Sequence, residues 1–105
     1  MGIINSIPQA NHGKASSATL TISGWESNSD GRYKQSIFVS GVTINTPIII
    51  VDARLSGTDI EADKSILEAW IKGPSSQKVA QGLNSLTFYT VEIPEVDIPI
   101  NIGVI

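Results

Sequence analysis

The chain has 105 residues, 41% hydrophobic and 16% charged, a composition that packs one globular domain and leaves no room for a second core. It contains no cysteine, which excludes disulfides and thiolate metal sites. The net charge is −3, and the seven basic residues (Lys14, Arg32, Lys34, Arg54, Lys64, Lys72 and Lys78) are scattered. Counterion release from phosphates needs clustered cations, so no nucleic-acid partner is expected.

Residues 1–17 combine Gly2, Pro8, Asn11, Gly13 and a Ser16-Ser17 pair without sustained periodicity, and read as a flexible N-terminal arm. Ile3, Ile4 and Ile7 suit an arm that contacts a neighbour. Met1 to Ser6 matches the short myristoylation pattern, which is common by chance, and no apolar signal-peptide core follows it. The single histidine, His12, lies in this arm beside Gly13. A catalytic base needs a third group to orient it, so a solvated loop position is the expectation.

From Ala18 the pattern has period two: Leu20 and Ile22 fall on one face, Thr19, Thr21 and Ser23 on the other, as in a half-buried strand. Asn28-Ser29-Asp30-Gly31 is a turn signal. Tyr33, Gln35, Ile37 and Val39 then alternate with Lys34, Ser36, Phe38 and Ser40, so the two strands are expected to form a hairpin with a wide tip. Pro47 opens a third strand, Ile48 to Leu55, apolar on both faces except for Asp52 and Arg54. Such a strand is expected to be central and covered on both sides, with Asp52 and Arg54 as a structural ion pair because a buried charge needs a partner.

Thr58-Asp59-Ile60-Glu61 has capping-box spacing. It predicts a helix over about 59–72, with Ala62, Ile66, Leu67, Ala69 and Trp70 on one apolar stripe. Gly73-Pro74 ends it. Asp59, Glu61 and Asp63 suit the helix N-terminus electrostatically; a calcium loop would need a turn glycine and a distal glutamate that are not in place. A short strand is expected within Lys78 to Leu83, a turn at Gly82 and Asn84, and a strand with Leu86, Phe88 and Thr90 on one face. The chain closes on Ile98, Ile100, Ile102 and Val104 in alternation, with Pro99 pointing to an edge or a bulge. Glu92, Glu95 and Asp97 read as a solvated acidic turn around Pro94. A glycosidase pair would have to face across a cleft that nothing in the sequence indicates.

No phosphate loop or metal-ligand cluster stands out, so no cofactor and no enzymatic activity are expected. Trp70 reads as core. Trp25, beside a turn, is either packed or an exposed anchor for a sugar or a partner. With Asn28, Asp30 and Arg32 it forms the set of candidate ligand or partner contacts. The loops Trp25 to Gly31 and Ser75 to Gln81 are where binding would sit on a rigid scaffold.

Taken in order, Thr19-Leu-Thr-Ile-Ser-Gly-Trp25, Ser36-Ile-Phe-Val-Ser-Gly-Val-Thr43, Pro47-Ile-Ile-Ile-Val-Asp52, Leu67-Glu-Ala-Trp70, Leu86-Thr-Phe-Tyr89 and Glu92-x-Pro94-x-Val96-x-Ile98-Pro-Ile100 resemble a small module of tail, baseplate and fibre-associated proteins from phages and prophages of Gram-positive bacteria. The resemblance covers residues 18–105 and consists of strand and helix core positions. It implies a structural protein of the virion tail region, made in the host cytoplasm. Its partners would be other phage proteins or further copies of itself. The alternative it implies is a module that binds a receptor or cell-wall carbohydrate. The fold expected is an antiparallel β-sandwich of five or six strands over residues 18–105, its helix packed between the third strand and the C-terminal strands.

Overall fold

A computed structural model describes residues 14–104; the expectations placed on Ile3, Ile4, Ile7 and His12 lie outside them. The protein is mainly β with one α-helix. Its strands form two antiparallel sheets, one of three strands and one of four, an arrangement compatible with a sandwich. In chain order the elements are β1 (Lys14–Leu20), β2 (Glu26–Ser27), β3 (Tyr33–Phe38), β4 (Ile49–Ala53), α1 (Ile60–Lys72), β5 (Ala80–Gly82), β6 (Ser85–Thr90) and β7 (Ile98–Val104). The sheet orders are β1-β7-β4 and β2-β3-β6-β5.

The first strand starts at Lys14, four residues inside the segment expected to be an arm. Ser16 pairs with Ile102 and Ala18 with Ile100. Ala15, Ser16 and Ser17 are small and exposed, so this edge-strand segment carries no hydrophobic alternation to announce it. The strand also ends earlier than its pattern suggests. Ile22–Gly24 form a 3-10 turn, and Ile22 is exposed rather than level with the fully buried Leu20.

That turn carries the chain from one sheet to the other and overturns the expected hairpin. β1 pairs with β7, and the strand hairpinned to β3 is the two-residue β2, with Glu26 opposite Lys34. The split accounts for a seventh strand where five or six were expected. Gln35 secures the crossing: its Nε2 donates to the Thr21 carbonyl and its Oε1 accepts from the Thr21 N–H, both at 3.0 Å.

The third strand of the sequence, β4, is not central. It is the edge of the three-stranded sheet, with Val51 half-buried and Ile50 half-exposed. The central strand is β7, whose Ile98, Ile100 and Ile102 are buried. Its Pro99 is therefore on neither an edge strand nor a bulge. The Pro99 carbonyl accepts from the Arg54 N–H at 2.8 Å, so its nitrogen also faces the β4 side, where that strand has just ended at Ala53. The missing donor falls beyond the ladder.

The helix is capped one residue later than its spacing implies. Asp59, not Thr58, accepts from the Ala62 N–H at 3.1 Å, and the carboxylate that reaches back is Asp63, not Glu61. Asp63 accepts from the Ser56 and Gly57 N–H groups, each at 2.8 Å. The buried stripe is narrower than expected: Trp70 is buried, Ile66 and Ala69 are half-buried, but Ala62 and Leu67 face solvent. At the other end the Gly73 N–H donates to the Ala69 carbonyl at 3.0 Å.

One cluster joins both sheets and the helix. Leu20, Ile98, Ile100 and Ile102 come from the three-stranded sheet, Leu86 and Phe88 from the four-stranded one, and Trp70 from α1. Trp70 meets Phe88 edge-on, with ring centroids 6.4 Å apart and planes at 61°, a favoured aromatic geometry.

Candidate functional site

The four candidate contact residues do not form one exposed surface. Trp25 is buried, 8% exposed, and its indole nitrogen is enclosed with no hydrogen-bond partner among the described residues. It offers no face for a sugar to stack on. Asn28, Asp30 and Arg32 do come together, around the β2–β3 turn. The Asn28 N–H donates to the Arg32 carbonyl at 2.8 Å, and Gly31 supplies the positive φ of 91° that the turn needs. Arg32 donates from Nε and Nη2 to Asp30 Oδ2 at 2.8 and 2.6 Å.

Arg32 is also held from two other directions. Its guanidinium carbon lies 4.3 Å from the Tyr89 ring centroid, and Nη1 donates to Gln77 Oε1 at 3.1 Å. It thus ties the turn to the four-stranded sheet and to the Ser75–Gln81 loop. A guanidinium with three partners on its own chain holds structure together before it recognises a ligand. The expected Asp52–Arg54 ion pair does not form; the ion pair among the described residues is Arg32–Asp30. Both Asp52 and Arg54 are exposed, because an edge strand needs no charge compensation on its solvent face.

Two carboxylates are tuned by these local bonds. The Arg32 side chain, followed by the Arg32 N–H, holds the Asp30 carboxyl down at about 2. Asp63 is also lowered, first by the Ser56 N–H and then by the Gly57 N–H. Both are more acidic folded than unfolded, so the native state binds fewer protons across their titration. Their stabilisation is complete above the ordinary Asp range near 3.8 and is lost as pH falls through their lowered folded values, about 2 for Asp30. Thermal melting points measured from pH 6 to pH 2 should fall along an acid limb, shallower in Asp30→Asn and Asp63→Asn. An unchanged limb in both variants would remove these carboxylates as its source.

A groove of about 550 Å³ lies between β4, the β5–β6 hairpin and the C-terminal end of α1. Trp70 and Leu86 lie at its floor, Ile49 and Val51 along one wall, and Ser75, Gln77 and Gln81 line it from the other side. The expected Ser75–Gln81 binding loop therefore does border a cavity, whereas the Trp25–Gly31 loop reaches it only through the Arg32–Gln77 bond. Gln81 is held by donating to the Thr43 and Thr46 carbonyls at 2.9 and 3.0 Å. An apolar floor with amide and hydroxyl groups beside it can hold an apolar side chain or the face of a sugar. Among the described residues no group of three or more acidic or histidine side chains is placed to hold a metal ion.

Two features were not legible in the sequence. Gln77 and Tyr89, which fix Arg32, come from segments distant in the chain, and only tertiary pairing brings them together. The apolar surface is the other. Phe38, Ile44 and Leu83 are each about three-quarters exposed on neighbouring segments, joined where the Asn84 carbonyl accepts from Val39 N–H and where Gln81 holds the Thr43–Thr46 loop. Ile60, Leu67 and Ile71 form an exposed strip on α1. Compared with known proteins, no family model, curated protein or solved structure matches the chain.

Proposed function

We propose that the protein is a non-enzymatic structural component of a phage tail or baseplate, working through protein–protein contacts in the virion, its two sheets closing as a β-sandwich with α1 against β4 and β7. The resemblance of its strand and helix core positions to such modules suggests the context. The observation that carries the mode of action is the exposed apolar surface: Phe38, Ile44 and Leu83 at one end of the four-stranded sheet, Ile60, Leu67 and Ile71 on the helix, and Ile48 and Ile50 along β4. A small domain with this much large apolar side chain in water gains by covering it with a partner. Particles purified from a host that carries the coding region should contain the chain in a fixed ratio to the tail proteins, measured by quantitative mass spectrometry. Recovery only from the particle-free lysate sinks the proposal.

The groove supports a second reading, a module that binds cell-wall carbohydrate. Trp25→Ala would test folding rather than binding, because that side chain is buried. The informative variants are Ser75→Ala and Gln77→Ala, at positions lining the groove. Sedimentation with isolated Gram-positive wall polymer should lose at least severalfold affinity in one of them, as expected when a hydrogen bond to a ligand is removed. No saturable binding by the folded wild type leaves the assembly reading alone.

A further inference from the structure

We infer that the free edge of β4 is a self-association surface, pairing antiparallel with β4 of a second copy about a two-fold axis at Ala53. The inference deepens the assembly reading by naming a second copy of the chain as one partner.

The backbone supplies the first observation. The Arg54 N–H donates to the Pro99 carbonyl, so Arg54 faces β7. Strand alternation then turns Ile49, Val51 and Ala53 away from β7. β4 ends its sheet, leaving those N–H and C=O groups as a row with no strand to pair with among the described residues. Native edges are commonly blunted by Lys, Pro, a bulge or extreme shortness. The β2 and β5 edges have two and three residues, and β1 begins with Lys14 and is otherwise mostly small and polar. The five residues Ile-Ile-Val-Asp-Ala of β4 carry no lysine, proline or bulge, and their single charge is Asp52.

Charge selects the register. Asp52 and Arg54 lie two apart on the same outward face, both exposed and without an ion-pair partner among the described residues. A two-fold axis at Asp52 would oppose two carboxylates, and an axis at Val51 would set Asp52 against Ile50. An axis at Ala53 places Asp52 of each copy opposite Arg54 of the other, giving two cross-strand ion pairs of the kind that stabilise antiparallel strands. The same axis makes Ala53 and its counterpart a hydrogen-bonded pair and puts the half-buried Val51 opposite the exposed apolar Leu55. The result is one continuous sheet twice the width of the present three-stranded one.

Sedimentation equilibrium on the full chain tests this. The wild type should dimerise reversibly. Asp52→Arg and Arg54→Asp should each weaken the dimer roughly tenfold, since two attractive pairs become repulsive, and the double exchange should restore it. Ala53→Pro should remove the dimer while leaving the monomer folded, because an edge strand tolerates a proline whose nitrogen faces outward. If that variant unfolds instead, the charge-exchange series still decides. A wild type that stays monomeric into the high micromolar range, or a dimer indifferent to the charge exchange, overturns the inference. Either result leaves the virion measurement free to succeed or fail by itself.

Discussion

Phe88→Ala should cost about 3–5 kcal/mol of stability, a large share of the roughly 5–15 kcal/mol that holds a domain of this size folded. Phe88 is fully buried in the middle of β6 and lies between Leu86 and Thr90, also fully buried. Its ring is the one the helix packs on, edge-to-face with Trp70. Truncation therefore removes apolar area from the four-stranded sheet and leaves a cavity against α1 that neighbouring strands, fixed by their ladders, cannot fill. The melting temperature should drop by about 15–25 °C, with Phe88→Leu recovering much of the loss. Near-UV circular dichroism and denaturant unfolding would measure both. A loss below about 1 kcal/mol would mean that sheet and helix do not share one core here.

Gln35→Leu should cost about 1–3 kcal/mol although it exchanges side chains of similar size, because it strands a backbone N–H. Gln35 is 8% exposed, and its amide serves both the N–H and the carbonyl of Thr21 where the chain leaves β1 for β2. The Thr21 carbonyl also accepts from the Gly24 N–H at 3.2 Å, but the Thr21 N–H has left one ladder and not joined the other, so its loss is the larger one. Gly24 makes room for it: a Cβ there would lie 2.6 Å from Gln35 Oε1 and 2.8 Å from Thr21 Oγ1. Gly24→Ala should therefore destabilise through the same clamp, and the two losses should be less than additive. Hydrogen exchange at Thr21 reads the clamp directly. Protection unchanged in Gln35→Leu would mean that water or another group replaces it.

The residues explain which parts of the fold could be read from the chain. Leu86, Phe88 and Thr90, and Ile98, Ile100 and Ile102, alternate cleanly because each set lines one buried face; period two records burial directly. The helix was legible from its acids, its apolar spacing and Gly73-Pro74. Its cap shifted from Thr58 to Asp59 because Ser56 engages Thr58 and Asp59 in a local turn, and several polar residues in succession satisfy the same capping rule. β4 misled because an apolar run looks the same whether its second face is covered within the chain or left open to a partner. Of the candidate site, Asn28, Asp30 and Arg32 were recognisable as a turn, and the Ser75–Gln81 loop as a border for binding. Gln77 and Tyr89 as partners of Arg32 were not, since they are joined to it only across strands.

By itself, then, the sequence determined the class of the fold, the single helix, the faces of its best-patterned strands and the lack of any cysteine chemistry. These follow from local periodicity and residue type, which act within a few positions of each other. Tertiary structure decided that the chain changes sheets at Ile22–Gly24, that β7 rather than β4 is central, that Trp25 is enclosed, and that Asp52 and Arg54 stand apart from each other on an open edge. Each of those depends on which distant segment comes to lie alongside. That is settled by the packing of one shared core from both sheets and the helix, a long-range free energy that no short window of residues contains.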